Sequence, residues 1–308
     1  MQQYRAIQFT RCRLVWLAGL VLSVLASIAD AAESAVTPQH PLYLKHCAMC
    51  HEGGIPRAPH SVTFALSGPA SVYRAMATGP MVAQAASLTD TEKRELAEFL
   101  GASKLADAVT LEANCPADQT NIADGDSTTR NWGMSPGNWR FAEGNGAIRR
   151  DNVTRLKLKW AFGIPGVSQA RSQPTYANGT LFTGTQTGSV YALDLETGCV
   201  RWRYDAGAEV RNAPVLAGFD GAGPQRVYFG DLDGRVHALD GQTGKRLWVT
   251  VVDPHPSAVI TGTPQLFEDR LIVPISASEW ASAADPAYGC CTFQGGVAAL
   301  STATGDLL

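Results

Sequence analysis

The residues best suited to chemistry are Cys47, Cys50 and His51, in the run Cys47-Ala48-Met49-Cys50-His51. Two thiols three positions apart can each add to a vinyl group of one porphyrin, and the histidine that follows can reach its iron. A Cys-x-x-Cys pair can also hold structural zinc or act as a thioredoxin-like dithiol. The first use needs a second ligand pair nearby and the second a βαβ pattern around the motif, and the sequence shows neither. The run therefore predicts covalent haem c with His51 on the iron. The other axial ligand is expected downstream, and Met81, in Thr78-Gly79-Pro80-Met81, lies on an irregular segment where its side chain can turn inward. Met76, in the helix-like run from Val72 to Ala77, reads instead as core filler. His46 abuts the thioether site and His60 falls in a loop; both read as solvated.

The element that closes this site is legible. Thr89 and Glu92 form a Thr-x-x-Glu capping box, and Leu96 and Leu100 then fall on one face, which predicts an amphipathic helix ending near Gly101. Residues 37–103 resemble class I cytochromes c, in which Gly-Pro-Met followed by Leu-Thr-Asp and a closing helix supplies the axial methionine. The resemblance implies a small all-α domain with a Met/His haem that carries single electrons.

Upstream, Arg5, Arg11 and Arg13 precede an apolar run from Leu14 to Ile28 and then Ala29-Asp30-Ala31, the small-x-small form of a cleavage site. Residues 1–31 are read as a signal peptide, which places the mature chain in the periplasm with no transmembrane span, since the run is shorter than the roughly 20 residues a span needs. Cys12 leaves with the leader, and Cys47, Cys50, Cys115, Cys199, Cys290 and Cys291 remain, an even number that suits an oxidising compartment. The 308 residues are 45% hydrophobic and 17% charged, enough apolar content for two folded domains. A net charge of -3 gives no basic footprint and argues against nucleic acid as a partner.

From about residue 104 to 150 the chain is polar and turn-rich, and it is read as linker and lead-in. Cys115 in it and Cys199 beyond it either form a disulfide or remain two free thiols. From 151 to 308 the chain repeats itself. Ala192-Leu193-Asp194-Leu195-Glu196-Thr197-Gly198 returns at Ala238 and again at Ala299, at intervals of about 46 and about 61 residues, near the blade length of a β-propeller with one loop insertion. Each copy predicts an alternating strand, a turn closed by Asp and Thr-Gly, and a return strand with a tryptophan; Trp160, Trp202 and Trp248 are placed to pack between neighbouring sheets. A ring needs about 4 to 8 blades, so three copies ending at Leu308 are read as an incomplete propeller, the N-terminal portion of a longer protein.

The repeat Ala-x-Asp-x-x-Thr-Gly-x-x-x-Trp resembles the blade signature of dehydrogenases that use pyrroloquinoline quinone (PQQ). With a cytochrome c in front, the chain is similar to quinohaemoprotein dehydrogenases of the polyvinyl alcohol type. The resemblance implies an eight-bladed propeller, PQQ that takes two electrons from an alcohol, Ca2+ that polarises the quinone, and a haem that accepts the electrons singly. Cys290-Cys291 is similar to the family's vicinal disulfide beside PQQ, with two ordinary thiols as the alternative. The family's pair lies in an earlier blade, where this chain has Glu209-Val210-Arg211-Asn212. Ile260-Thr261-Gly262-Thr263-Pro264 looks like the strand start whose threonine bonds the quinone carboxylates. Ser276-Ala277-Ser278-Glu279 looks like the segment that supplies a PQQ contact, Ser276, and then a Ca2+ ligand, Glu279; a solvated loop carboxylate is the other reading of Glu279. Arg211 matches a PQQ-contacting arginine or makes a surface ion pair, and Arg171 stands where the family has a glutamate. The tryptophan floor, the aspartate base and the remaining calcium ligands would lie beyond Leu308, so no catalytic base is named.

Two functions follow. One is a periplasmic quinohaemoprotein dehydrogenase, or its N-terminal portion, acting on an alcohol or hydroxyl-bearing polymer and passing electrons to a soluble or membrane acceptor. The other is a non-enzymatic electron-transfer cytochrome with a propeller scaffold.

Overall fold

The computed structural model describes residues 38–55, 58–105, 111–125, 128–129, 132–133, 148–164, 166–167, 169–280 and 288–308. The expected leader, 1–31, lies outside the described residues, as do parts of the stretch between 104 and 150. Among the described residues no helix is long and apolar enough to cross a membrane. Residues 38–308 form one compact unit.

The first part of that unit is helical. Helix α1 (Pro41–His46) leads into the cysteine motif and α2 (Ala48–His51) carries its last four residues, followed by α3 (Phe64–Ala77) and α4 (Asp90–Leu100). Helix α4 starts where its sequence predicts: Thr89 Oγ1 accepts from the Glu92 amide and the Glu92 carboxylate accepts from the Thr89 amide at 2.8 Å. That reciprocal pair satisfies two of the orphan donors at the helix start. Leu96, Ala97 and Leu100 turn inward onto Tyr43, Val72, Met76 and Leu88. Met76 is 5% exposed within that core.

The second part is three antiparallel sheets in succession. The first contains β1 (Thr128–Thr129), β2 (Thr175–Ala177), β3 (Thr180–Gly184), β4 (Ser189–Asp194) and β5 (Val200–Asp205), in that order. The second contains β6 (Val215–Ala217), β7 (Arg226–Gly230), β8 (Arg235–Asp240) and β9 (Arg246–Val251), and the third β10 (Ala258–Val259), β11 (Gln265–Phe267), β12 (Arg270–Ala277) and β13 (Gly296–Ser301). β4 is buried along its whole length, while β3 alternates. The hairpin from β2 to β3 turns on Asn178 and Gly179, both at positive φ, the pair a two-residue primed turn demands.

Between the third and fourth strands the repeat does what its residues predict. Asp194 Oδ1 accepts from the Thr197 amide and hydroxyl, each at 2.8 Å, and Asp240 repeats the pattern with Thr243 at 2.8 and 2.6 Å. The tryptophans join one sheet to the next. Trp160, Trp202 and Trp248 donate from Nε1 to the carbonyls of Leu195, Gly241 and Thr302, at 3.0, 2.9 and 3.2 Å. Each indole lies flat against the glycine of the receiving turn, Gly198, Gly244 or Gly305, where a Cβ would meet the ring within 2.8 Å. The tryptophan of one strand is thus read by the turn of the following blade.

The lead-in is more ordered than a linker reading implies. Ile122 is fully buried in the core of the first two sheets, and its amide donates to Gln242 at 2.9 Å. Cys115 and Cys199 are joined as a disulfide, fixing the lead-in to the turn of the first sheet.

Candidate functional site

In the helical part, Cys47 and Cys50 are free thiols and partly buried. Burial, then the neighbouring Cys50, pushes the Cys47 thiol up. His51, at the end of α2, is 8% exposed. Its Nδ1 meets the Pro59 carbonyl at 2.7 Å. A carbonyl can only accept, so Nδ1 carries the proton and the Nε2 lone pair is left for a metal. Met81 is partly buried and packs against the same core as Tyr43 and Leu96. Two thiols, an imidazole with its tautomer fixed and a thioether on one core fit a covalently held haem. His60 departs from its expected solvation: it is 8% exposed, with Nε2 3.3 Å from Glu52 Oε2. A loop position in sequence is here folded back onto the motif.

In the sheet part, strand alternation sorts the candidate residues. The segments entering β2, β6 and β11 and the connections β3–β4, β7–β8 and β12–β13 lie at the same end of their antiparallel sheets. Arg171, Arg211 and Thr261 sit in the entering segments of the three sheets, and Glu279 with Cys290 and Cys291 in the long connection from β12 to β13. Ser276 lies near that end of β12, paired with Val259. Hydrogen bonds stitch this end together: the Val210 amide to Thr185, Leu232 to Glu209 and Ile260 to Asp231, each at 3.0 Å. The Asn212 amide group reaches the carbonyls of Gly230 and Ile260 at 2.8 and 3.1 Å. The helical part meets the sheets at the same end, where the Arg74 guanidinium of α3 donates to the Thr187 carbonyl.

Arg211 is not a simple surface pair. Glu209, 6% exposed, accepts from Arg211 at 2.9 Å and from Arg171 at 2.8 Å, which leaves two cations on one carboxylate. The Nε of Arg211 is buried without a partner. Sequence reasoning weighed Arg171 and Arg211 separately and missed Glu209 between them. Their shared spacing before Pro174 and Pro214 was the available signal. Thr261 and Ser276 are both exposed beside the short β10–β12 ladder.

Glu279 is neither solvated nor open. It is 4% exposed, and its carboxylate accepts from the Tyr288 hydroxyl, the Thr292 amide at 2.6 Å and hydroxyl at 2.7 Å, and the Phe293 amide at 2.9 Å. The Tyr288 hydrogen bond, then the Thr292 amide, holds the carboxyl at about 2. Both oxygens are engaged by the loop that carries Cys290 and Cys291, which are joined as a disulfide. His255 holds the loop from the other side through Thr292 Oγ1 at 3.0 Å and a ring contact with Phe293. Among the described residues no three His, Cys, Asp or Glu side chains are grouped to hold a metal ion. This arrangement does not fit calcium on Glu279; the carboxylate clasps the cysteine loop.

A protein-family profile, PQQ_2, described as outer membrane protein assembly factor BamB, matches residues 132–308. A polyvinylalcohol dehydrogenase of Pseudomonas sp is 35% identical over 321 residues, covering 98% of this chain and 50% of that protein. Another, of Sphingopyxis sp. (strain 113P3), is 34% identical over 286 residues, covering 87% of this chain and 43% of that protein. The solved quinohemoprotein alcohol dehydrogenase ADHIIG from Pseudomonas putida HK5 aligns at a TM-score of 0.48 and 23% identity, over 65% of this chain and 28% of that one. The chain spans about half the length of the curated relatives it matches.

Proposed function

The chain belongs to the PQQ_2 family, and from that premise we propose that it serves in oxidation of an alcohol in the periplasm, polyvinyl alcohol among the candidates. In this reading PQQ lies at the loop end of the sheets and haem c on the helical part. PQQ, when bound, supplies two-electron oxidation of the alcohol, and the haem supplies one-electron transfer onward. The chain's own residues bind and orient. Cys47 and Cys50 would hold the haem as thioethers, and His51 and Met81 would be the ligands of its iron. Arg171 and Arg211, in excess over Glu209, attract the carboxylates of the quinone, and the hydroxyls of Thr261 and Ser276 offer hydrogen bonds beside them. The Cys290–Cys291 disulfide is held at this end by Glu279. No step is assigned to calcium.

The observation that carries the reading is the meeting of the helical part with the sheets at the end that bears Arg171, Arg211, Thr261 and the cysteine loop. Electron transfer weakens steeply with distance, so a carrier docked at that end is placed to receive electrons from a quinone held there. The test is to express the chain with an export signal and c-type maturation and record its mass and reduced absorption spectrum. One covalent haem, with an axial ligand lost in Met81→Ala, is expected. PQQ binding, followed by quenching of tryptophan fluorescence, is expected to weaken in Arg211→Ala. A haem-free chain, or one whose spectrum ignores Met81→Ala, refutes the haem assignment, and PQQ binding indifferent to Arg211 refutes the other.

A further inference from the structure

We propose that Tyr43, Glu52 and His60 form a partly buried brace that positions the imidazole of His51. The inference rests on the haem reading. His51 is oriented by the bond from Nδ1 to the Pro59 carbonyl, and Pro59 lies directly before His60. The brace joins the residue that follows His51 to the residue that follows Pro59.

Glu52 follows His51 directly and is joined to two elements. Its Oε1 accepts from the hydroxyl of Tyr43, a fully buried side chain of α1, and its Oε2 faces His60 Nε2 at 3.3 Å. The Val62 amide donates to His60 Nδ1 at 3.4 Å, so Nε2 bears the proton that points at Glu52. The His60 carbonyl accepts from the Thr63 amide at 2.9 Å and its hydroxyl at 2.8 Å, which seats the residue on the turn entering α3. Phe64 then packs edge-on against both Tyr43 and His51, with ring centroids 6.3 and 5.1 Å apart. Burial, then the bond to Glu52, pushes the Tyr43 phenol up, which keeps it a donor. Pro59 sits immediately before His60, so a shift of His60 moves the carbonyl that fixes His51.

A carbonyl accepting from the distal nitrogen makes an imidazole a stronger donor to its metal. Stronger donation favours the oxidised iron and lowers the midpoint potential. Loss of the brace should therefore raise the potential and loosen the ring, while covalent haem attachment, which needs only Cys47 and Cys50, persists.

The experiment compares wild type with Glu52→Gln and His60→Phe, each as the full mature chain. The readouts are covalent haem content, midpoint potential and the exchange rate of the His51 Nδ1 proton by NMR, the last also measured before haem is attached. The brace predicts a higher potential and faster exchange in both variants at unchanged haem content. A higher potential in Glu52→Gln alone marks a simple charge effect and overturns the proposal. So does wild-type exchange in a folded His60→Phe. A wild-type chain that takes no haem overturns the haem reading by itself, and the exchange rates before attachment then still judge the brace.

Discussion

Replacing Gly244 by alanine isolates the contact that joins one blade to the next. Gly244 has φ +67, and a Cβ there would lie 2.7 Å from Cδ2 and Cε3 of Trp202. Gly179 has φ +77 but nothing within 4 Å of its notional Cβ. Both substitutions carry the backbone cost of an L-residue in the left-handed region, about 1–2 kcal/mol. Only Gly244→Ala also drives a methyl into an indole that is 4% exposed and held by its bond to Gly241, an overpacking cost of about 1–3 kcal/mol. The loss at Gly244 should therefore exceed that at Gly179 by about 1–3 kcal/mol, read from urea unfolding followed by far-UV circular dichroism. In a Trp202→Leu background the excess should shrink, because the two changes share one contact. Equal losses at Gly179 and Gly244, or an excess that survives removal of the indole, would refute the account of the blade interface.

Glu279 gives a pH dependence whose sign is fixed. Its carboxyl is held at about 2 against an ordinary 4.5, so the folded chain takes up that proton less readily than the unfolded one and the contribution is complete above about pH 5. It is lost as pH falls from 4.5 towards 2; amide exchange at Thr292 and Phe293, corrected for intrinsic rate, should rise over that window in wild type and be raised throughout in Glu279→Gln. Replacing Cys115 and Cys199 by serine opens a bridge with a sequence separation of 84. The chain-entropy cost for such a loop is about 4.6 kcal/mol, and a fall in urea midpoint matching reduction of the wild type is expected. Arg74→Ala should leave haem content unchanged and speed amide exchange around Thr187, since the guanidinium caps that carbonyl; unchanged exchange there would mean α3 is held by other contacts.

The sequence shows what repeats or what lies within a few residues. The Asp-x-x-Thr-Gly turns are closed by neighbours in the chain, so their chemistry could be read directly, and so could the capping box of α4. The Cys47-x-x-Cys50-His51 spacing shares that locality. What was not legible depends on chain segments that meet only after folding. His60 reads as a loop residue until Glu52 comes back to it, and Glu279 as an open carboxylate until residues 288–293 close over it. Ile122 carries no periodic pattern, because it is an isolated apolar side chain in a polar stretch that the sheets bury only after folding. Glu209 was hidden for a related reason: its role comes from two arginines on the entering segments of different sheets.

The two ends of the sheets divide their work, and the reason lies in strand direction. At one end the short hairpins meet the Thr-Gly turns, with the Leu195, Gly241 and Thr302 amides donating to Gly179, Gln225 and Asp269 at 2.8 to 2.9 Å. The tryptophans dock there, and so does the lead-in through Asn178, Gln225 and the Cys115–Cys199 bridge. Most contacts at that end join blades, although the β6–β7 connection is longer than the β2–β3 turn and exposed over residues 220–224. The opposite end is also stitched, by the Val210, Leu232 and Ile260 amides. The interval from Ala238 to Ala299 is longer than the one before it, and most of the added chain falls between β12 and β13, at that opposite end, where it brings Cys290 and Cys291 to the side occupied by Arg171, Arg211 and Arg74. The longest connection and the candidate residues Arg171, Arg211 and Thr261 thus share one end, and the tryptophan contacts lie at the other.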